Sequence, residues 1–207
     1  MGRCLHTVGS EHELALLFDA PAPASQLKET SFVHPVYRAL IEASPFFALA
    51  TSGPGGLDVS PRGDAPGFVL VEDQKTLLLP ERRGNNRIDS LRNIVADPRV
   101  ALLFLIPGRG ETLRVNGRAT IVTDPALLER FALDGKRPTC VLAFDVETVF
   151  FQCARAILRA HLWDPASAGR DDQLPSAGQM LAALGSGSFD GAAYDLALAA
   201  RQRATLY

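Results

Sequence analysis

Between Pro45 and Phe151 the chain breaks into short runs of β-branched, aromatic and leucine residues, each closed by glycine or proline. This rhythm limits the fold more than any other feature. The runs Phe46–Thr51, Leu57–Ser60, Phe68–Val71, Thr76–Leu79, Val100–Ile106 and Thr112–Val122 read as strands, and strand-like residues return at Cys140–Phe151. One helix, about Arg87 to Ala96, interrupts the series and stops at Asp97-Pro98, because the residue before a proline is pushed out of the helical region. Another, Pro125 to Leu133, opens with Asp124 as cap and proline at the first helical position. A doubly wound sheet needs regular strand–helix alternation. Many strands with few helices argue instead for an antiparallel barrel or sandwich, and a small barrel is the expectation.

The flanks are helical. Glu11 to Asp19 has helical spacing and is broken by the Pro/Ala stretch Pro21 to Ser25; a short helix follows at Pro35 to Ala43. After the last strand, Ala154–Leu162 reads as a helix, and the Gly/Ser/Ala-rich tail from Ser167 carries two weak ones, Ala177–Leu184 and Ala192–Arg201. The expected organisation is a helical appendage over 1–34, a main domain over 35–165, and a helical tail over 166–207 packed on the barrel.

Several function classes drop out. Lys+Arg 21 against Asp+Glu 23 leaves a net charge of −2, so no global field draws the chain to nucleic acid. The longest apolar run, Val100 to Ile106, falls far short of the ~20 residues that span a bilayer. The N-terminal MGRCLHTVGSEHEL has no apolar export region, and His6 stands where a myristoylation signal wants Ser or Thr. Cys4, Cys140 and Cys153 are odd in number and lack CxxC spacing, which predicts reduced thiols and a cytoplasmic protein. His6, His12, His34 and His161 are scattered and offer no metal-binding spacing. No GxSxG, Walker loop or GxGxxG occurs, and Gly108-Arg-Gly110 lacks the third glycine.

Two segments could carry chemistry. In LPERRGNNRIDSL, starting at Leu79, the residues Arg82, Arg83 and Arg87 crowd the start of a helix whose free N–H groups already make that end positive. Such an arrangement suits a phosphate, which backbone N–H groups and guanidinium forks engage together. The plainer reading is a solvated basic turn, with Asn86 as cap and Asp89 closing a box-like contact. SPRGDAPG, starting at Ser60, sits at a strand end, where Gly63 and Gly67 permit close backbone approach; by itself it reads as a solvated charged turn. Asn116-Gly117 is either a two-residue hairpin turn or a glycine bulge within one strand. Arg155 and Arg159 lie one helical turn apart before Trp163, the only tryptophan, which reads as a structural anchor.

Together SPRGDAPGF, LLLPERRGNNRIDSLRNIVADPRVALLFLIPGRGETLRVNGRA and FFQCARAILRAHLW resemble the pyridoxamine 5′-phosphate oxidase-like, FMN-binding split-barrel proteins, in their uncharacterised probable FMN-dependent branch, over about residues 35 to 165. The resemblance implies a mainly β fold with helices: a six-stranded antiparallel split β-barrel with flanking helices. It also implies a homodimer with FMN at each end of the subunit interface. By position it puts Arg87, with Arg83, Asn85 and Asn86, at the FMN phosphate, and Ser60 and Arg62 on a strand facing the phosphate and ribityl chain. It sets the Leu79 and Pro80 backbone along the isoalloxazine edge and Thr112 near the ring, and it brings Arg159 and Trp163 from beyond the last strand. It favours the continuous, bulged strand at Asn116-Gly117. The C-terminal Arg-x-His substrate motif of true pyridoxamine phosphate oxidases has no convincing match, Arg159-Ala-His161 sharing only the spacing, so vitamin B6 oxidation is not implied. The implied activity is FMN-dependent oxidoreduction of a small molecule, with a nicotinamide nucleotide as candidate electron donor. A flavin-binding or sensing protein without turnover, or a deazaflavin- or haem-binding split barrel, is the alternative.

Overall fold

A computed structural model describes residues 6–167, 174–186 and 188–207, and Cys4 lies outside them. Seven strands form one antiparallel sheet: β1 (Phe46–Gly53), β2 (Gly56–Gly63), β3 (Leu70–Val71), β4 (Thr76–Glu81), β5 (Arg99–Leu105), β6 (Thr112–Val122) and β7 (Cys140–Gln152), in the order β2-β1-β5-β6-β7-β4-β3. The count exceeds the expected six because Leu70–Val71 pairs with Leu78 and Leu77 as a short edge strand of its own. The sheet curls but does not close by backbone hydrogen bonds. Strand alternation explains the curl: Phe47, Leu49, Leu102, Phe104, Leu113, Val115, Phe144, Leu77 and Leu79 all point inward and are buried in one core. Each such side chain contributes about 1.5–3 kcal/mol of burial.

Among the described residues there are eight α-helices, α1 (Glu11–Ala15), α2 (Pro23–Leu27), α3 (Pro35–Ala43), α4 (Asp89–Ala96), α5 (Pro125–Glu129), α6 (Arg155–Ala160), α7 (Ala177–Leu184) and α8 (Gly191–Ala204), of which α3, α4 and α5 pack on the sheet. Ile41 of α3 and Ile94 of α4 complete the core. The Pro/Ala stretch taken for a breaker instead starts α2, because proline at the first helical position has no N–H to satisfy there. Helix α1 stops at Ala15, and Leu16, Leu17 and Phe18 stay exposed because no surface meets them. At α5 the Asp124 carboxylate accepts from the Leu127 N–H at 3.0 Å, as the proline-led cap predicts, although the helix ends at Glu129.

Strand β6 runs unbroken from Thr112 to Val122, with a register shift against β7 between Asn116 and Gly117. The bulged-strand reading therefore holds. Glycine is required there, since a Cβ at Gly117 would collide with the Asp145 carbonyl. Strand β2 continues past Ser60 through Pro61 because it is an edge, where a missing N–H disturbs no ladder. At the far end of the chain, Ser176 caps α7 reciprocally with Gln179, and Asp195 of α8 accepts from the Gly178 N–H at 2.7 Å, which locks α7 to α8.

Candidate functional site: a basic cavity at the split

The unpaired edge of β2 and the end of β4 meet without a backbone ladder and are joined by side chains. Arg62 Nε donates to Glu81 at 2.9 Å, and Arg82 Nε donates to Asp64 at 3.1 Å. These pairs bridge the split, and their side chains are largely withdrawn from water, Asp64 keeping only 3% exposure. The expectation of a solvated Arg62-Gly63-Asp64 turn is thereby corrected. Because Arg62 faces Phe47 and Ser60 faces Leu49 across β1, both side chains project to the inner side of the sheet. Asp64 also accepts from the Ala65 N–H at 2.8 Å and from the Tyr207 hydroxyl at 2.8 Å.

A cavity of about 520 Å³ opens above these pairs, within the ~300–1,000 Å³ range of small-molecule sites. One wall is the strand segment Asp58–Arg62, and the other is the turn Arg82–Ile88 that leads into α4. Ser60, Arg62, Arg83, Asn85, Asn86 and Arg87, all expected at a cofactor phosphate, are thus brought together. Asn86 and Ile88 both adopt positive φ, 59° and 53°, so the turn coils tightly before the helix.

The helix start differs from expectation. Helix α4 begins at Asp89, and Ile88, not Asn86, is its cap, with no side-chain hydrogen bond. Nor is the basic turn electrostatically stranded. Arg87 Nε donates to Asp89 at 2.7 Å, and this bond, reinforced by the charges of Asp89 and Asp58, raises the Arg87 pKa further. Arg62 is held by Glu81 and by the Ser60 hydroxyl at 2.6 Å, while Ser90 donates to Asp58 at 2.9 Å. Asp58 and Glu81 were not anticipated, because only the fold brings them to this cavity; Asp89, expected to make a contact at the helix start, is the near neighbour that pairs with Arg87. Donors nonetheless remain. A guanidinium carries five N–H groups; Arg87 commits only its Nε edge to an ion pair, and Arg83 makes no ion pair or hydrogen bond among the described residues.

The remaining expected residues do not line this cavity, although Pro80 lines a smaller one that adjoins it at Arg62 and Glu81. The Leu79 side chain is in the core, and Pro80 is buried beside it at the end of β4. Thr112 opens β6 opposite Gln152, Arg159 is exposed on α6, and Trp163 Nε1 donates to the Arg109 carbonyl at 2.6 Å. The Trp163 bond fits the anchoring role read from the sequence. Among the described residues no cluster of His, Cys, Asp and Glu could hold a metal ion, and no helix is long and apolar enough to cross a membrane.

The side of the sheet facing away from the core is also informative. Val59, Ala50 and Ala101 form one row across β2, β1 and β5, and Pro61, Ala48 and Leu103 form the next. Leu57 and Val59 are 88% and 67% exposed. Small side chains make this face flat as well as apolar, and Val59 and Pro61 also border the cavity.

Among solved structures, HupZ of Group A Streptococcus is 24% identical over 56% of this chain and 90% of its own length, with a TM-score of 0.45. A Clostridium acetobutylicum protein related to general stress protein 26, of the pyridoxinephosphate oxidase family, is 18% identical over 56% of this chain and 84% of its own (TM-score 0.43). An FMN-binding protein of Syntrophomonas wolfei is 12% identical over 55% and 86% (TM-score 0.41). No curated protein matches the chain. The family model for pyridoxamine 5′-phosphate oxidase matches residues 33–153, more than half of the sequence and the whole span from β1 to β7, and to that family this chain belongs.

Proposed function

We propose that the protein is an FMN-dependent oxidoreductase acting on a small molecule, with the flavin phosphate held in the cavity at the split. The observation that carries this reading is the donor set of the turn: Arg83 and the free edge of Arg87, with the Asn85 and Asn86 amides, face an open concave wall. A phosphate dianion fits there without displacing the pairs that bridge β2 and β4. When bound, the flavin supplies the electron-carrying chemistry; the chain contributes anchoring, orientation and exclusion of water. The cavity carboxylates Asp58, Glu81 and Asp89 are engaged with Ser90, Arg62 and Arg87, so none stands ready as an acid or base. That same observation supports the second reading, a flavin-binding or sensing protein without turnover.

The flat apolar face of β2, β1 and β5 suits a second copy of the chain, since a contiguous exposed apolar surface marks an interface and two-fold assembly is the commonest closed form. A copy seated there would cover the cavity rim at Val59 and Pro61. In this arrangement Thr112, Arg159 and Trp163, remote from the cavity of their own chain, serve the flavin of the other. The free Cys140 and Cys153 accord with a reducing compartment such as the cytoplasm.

The test is a pair of titrations followed by reduction. Two charge-assisted contacts at about 1.5–3 kcal/mol each should favour FMN over riboflavin by upwards of ~100-fold. Anaerobic NADH or NADPH should then bleach the bound flavin if the protein turns over. Equal affinity for FMN and riboflavin would remove the phosphate site, and a flavin that resists both nucleotides would favour the sensing reading.

A further inference from the structure

Arg82 and Arg83 are neighbours in the turn with different surroundings. Arg83 is exposed, whereas Arg82 keeps only 16% side-chain exposure because three separate segments converge on it. Its Nε donates to Asp64, just past β2, at 3.1 Å, and its Nη1 donates to the Phe131 carbonyl, just past α5, at 2.8 Å. Phe131 is buried in one cluster with Leu78 and Val141, so that carbonyl is firmly placed. The third segment is the tail: the Tyr207 ring lies 5.7 Å from the Arg82 guanidinium, within cation–π range.

Tyr207 also completes the arrangement from the carboxylate side. A carboxylate as covered as Asp64 needs donors on both oxygens. Oδ2 takes Arg82, and Oδ1 takes the Ala65 N–H and the Tyr207 hydroxyl, at 2.8 Å each. The bond to Asp64, followed by burial and the Asp64 charge, raises the Tyr207 pKa, which keeps the phenol a donor at neutral pH. Lys136 Nζ donates to the Tyr207 backbone oxygen at 3.2 Å, so the main chain is tied down with the side chain. The hairpin of α7 and α8 therefore ends on the seam, at the root of the turn that carries Arg83, Asn85, Asn86 and Arg87.

We propose that Tyr207 is a positioning residue for the flavin phosphate. It does not line the cavity at the split and acts through Arg82, which does. By covering and hydrogen-bonding the Asp64–Arg82 pair it fixes the root of the turn, and with it the direction from which Arg83 and the two asparagine amides meet an anion. Exposed side chains lose rotamer freedom when they grip a ligand, and a fixed root lowers that cost. The role rests on the flavin reading above.

The experiment titrates the flavin-free full chain with FMN and with riboflavin, followed by flavin fluorescence. Tyr207→Ala, which removes ring and hydroxyl, should weaken FMN about 5-fold; Tyr207→Phe, which keeps the ring, should weaken it about 2-fold, and riboflavin should be unchanged in both. Because the residue acts through the turn, adding Tyr207→Ala to an Arg83→Ala variant should cost less than about 2-fold more. Full additivity of those two changes, equal weakening of both flavins, or FMN binding indifferent to Tyr207→Ala would each overturn the proposal. The flavin reading fails separately: wild type that shows no preference for FMN over riboflavin removes the phosphate site and this role with it, whereas a preference that survives Tyr207→Ala intact removes the role alone.

Discussion

The seam at the split and the turn beside it use the same residue type for opposite purposes. At the seam, Arg62 of β2 and Arg82, the residue after β4, are mostly covered, and each is fixed by a carboxylate from across the gap, Glu81 for one and Asp64 for the other. On the turn side Arg87 is 76% exposed and its carboxylate partner, Asp89, is two residues away, while Arg83 is exposed and makes no ion pair among the described residues. Strand side chains are aimed by the pleat and meet whatever the neighbouring edge presents; a turn leaves its side chains hydrated and adjustable. The difference teaches a division of labour. The seam arginines, Arg62 and Arg82, close a barrel that lacks a backbone ladder there, and Arg83 and Arg87, further along the turn, are left to engage a ligand.

The sharpest way to break the comparison is at Asp64. Its removal leaves the Arg82 guanidinium covered and without its counter-charge, and breaking a buried pair costs about 3 kcal/mol. Asp64→Ala should lower the stability measured by urea unfolding by that amount; a loss under about 0.5 kcal/mol, the level of an ordinary surface change, would mean the pair does not brace the split. Arg62→Ala is intermediate. It strips Glu81 of its partner and should cost about 1–2 kcal/mol in the same assay, with a weakening of FMN if the strand wall also touches the cofactor. Arg87→Ala should do the reverse of Asp64→Ala. Stability should stay within about 0.5 kcal/mol, FMN should weaken by at least ~10-fold, and riboflavin should be nearly unaffected, because only the phosphate contact is lost. Equal weakening of both flavins would move Arg87 to the structural side of the comparison.

How much of this was legible in the chain follows the same division. Local chemistry could be read: the Asp124-Pro125 helix start and the strands closed by glycine and proline depend on neighbours in sequence. The arginine-rich turn could be found too, because its residues lie within one short segment. What could not be read is the other half of each pair. Nothing near Arg62 points to Glu81, and Asp64 looks like part of a solvated turn until β4 is laid beside it. The bulge at Gly117 was ambiguous on turn statistics alone, since Asn-Gly favours a hairpin, and its resolution depends on β7 running alongside. Helix α4 starting at Asp89 rather than Arg87 reflects the left-handed turn at Asn86 and Ile88, which no spacing rule anticipates.

The smallest effect offers the finest probe of the strand wall. Cys140, opposite Glu81 in the ladder, is pushed up to about 11, chiefly by burial, then by the Glu81 charge, with Arg62 pulling the other way. Cys153, one residue past the end of β7, is exposed. Because the thiolate is the reactive form, a pKa near 11 leaves about one Cys140 in a thousand ionised at pH 8. In a Cys4→Ser background at pH 8 an aromatic disulfide reagent should therefore modify Cys153 quickly and Cys140 hardly at all. With Cys153 also replaced by serine, the slow rate should climb roughly tenfold per pH unit up to about 11, since a raised pKa moves thiolate formation to higher pH. Two further substitutions read the field of the seam with opposite signs. Glu81→Gln removes the anion and should quicken Cys140 labelling a few-fold, whereas Arg62→Ala removes the cation and should slow it. If both substitutions quickened it equally, the seam would simply have opened to solvent, and the paired charges would be sealing the barrel more than setting its local field.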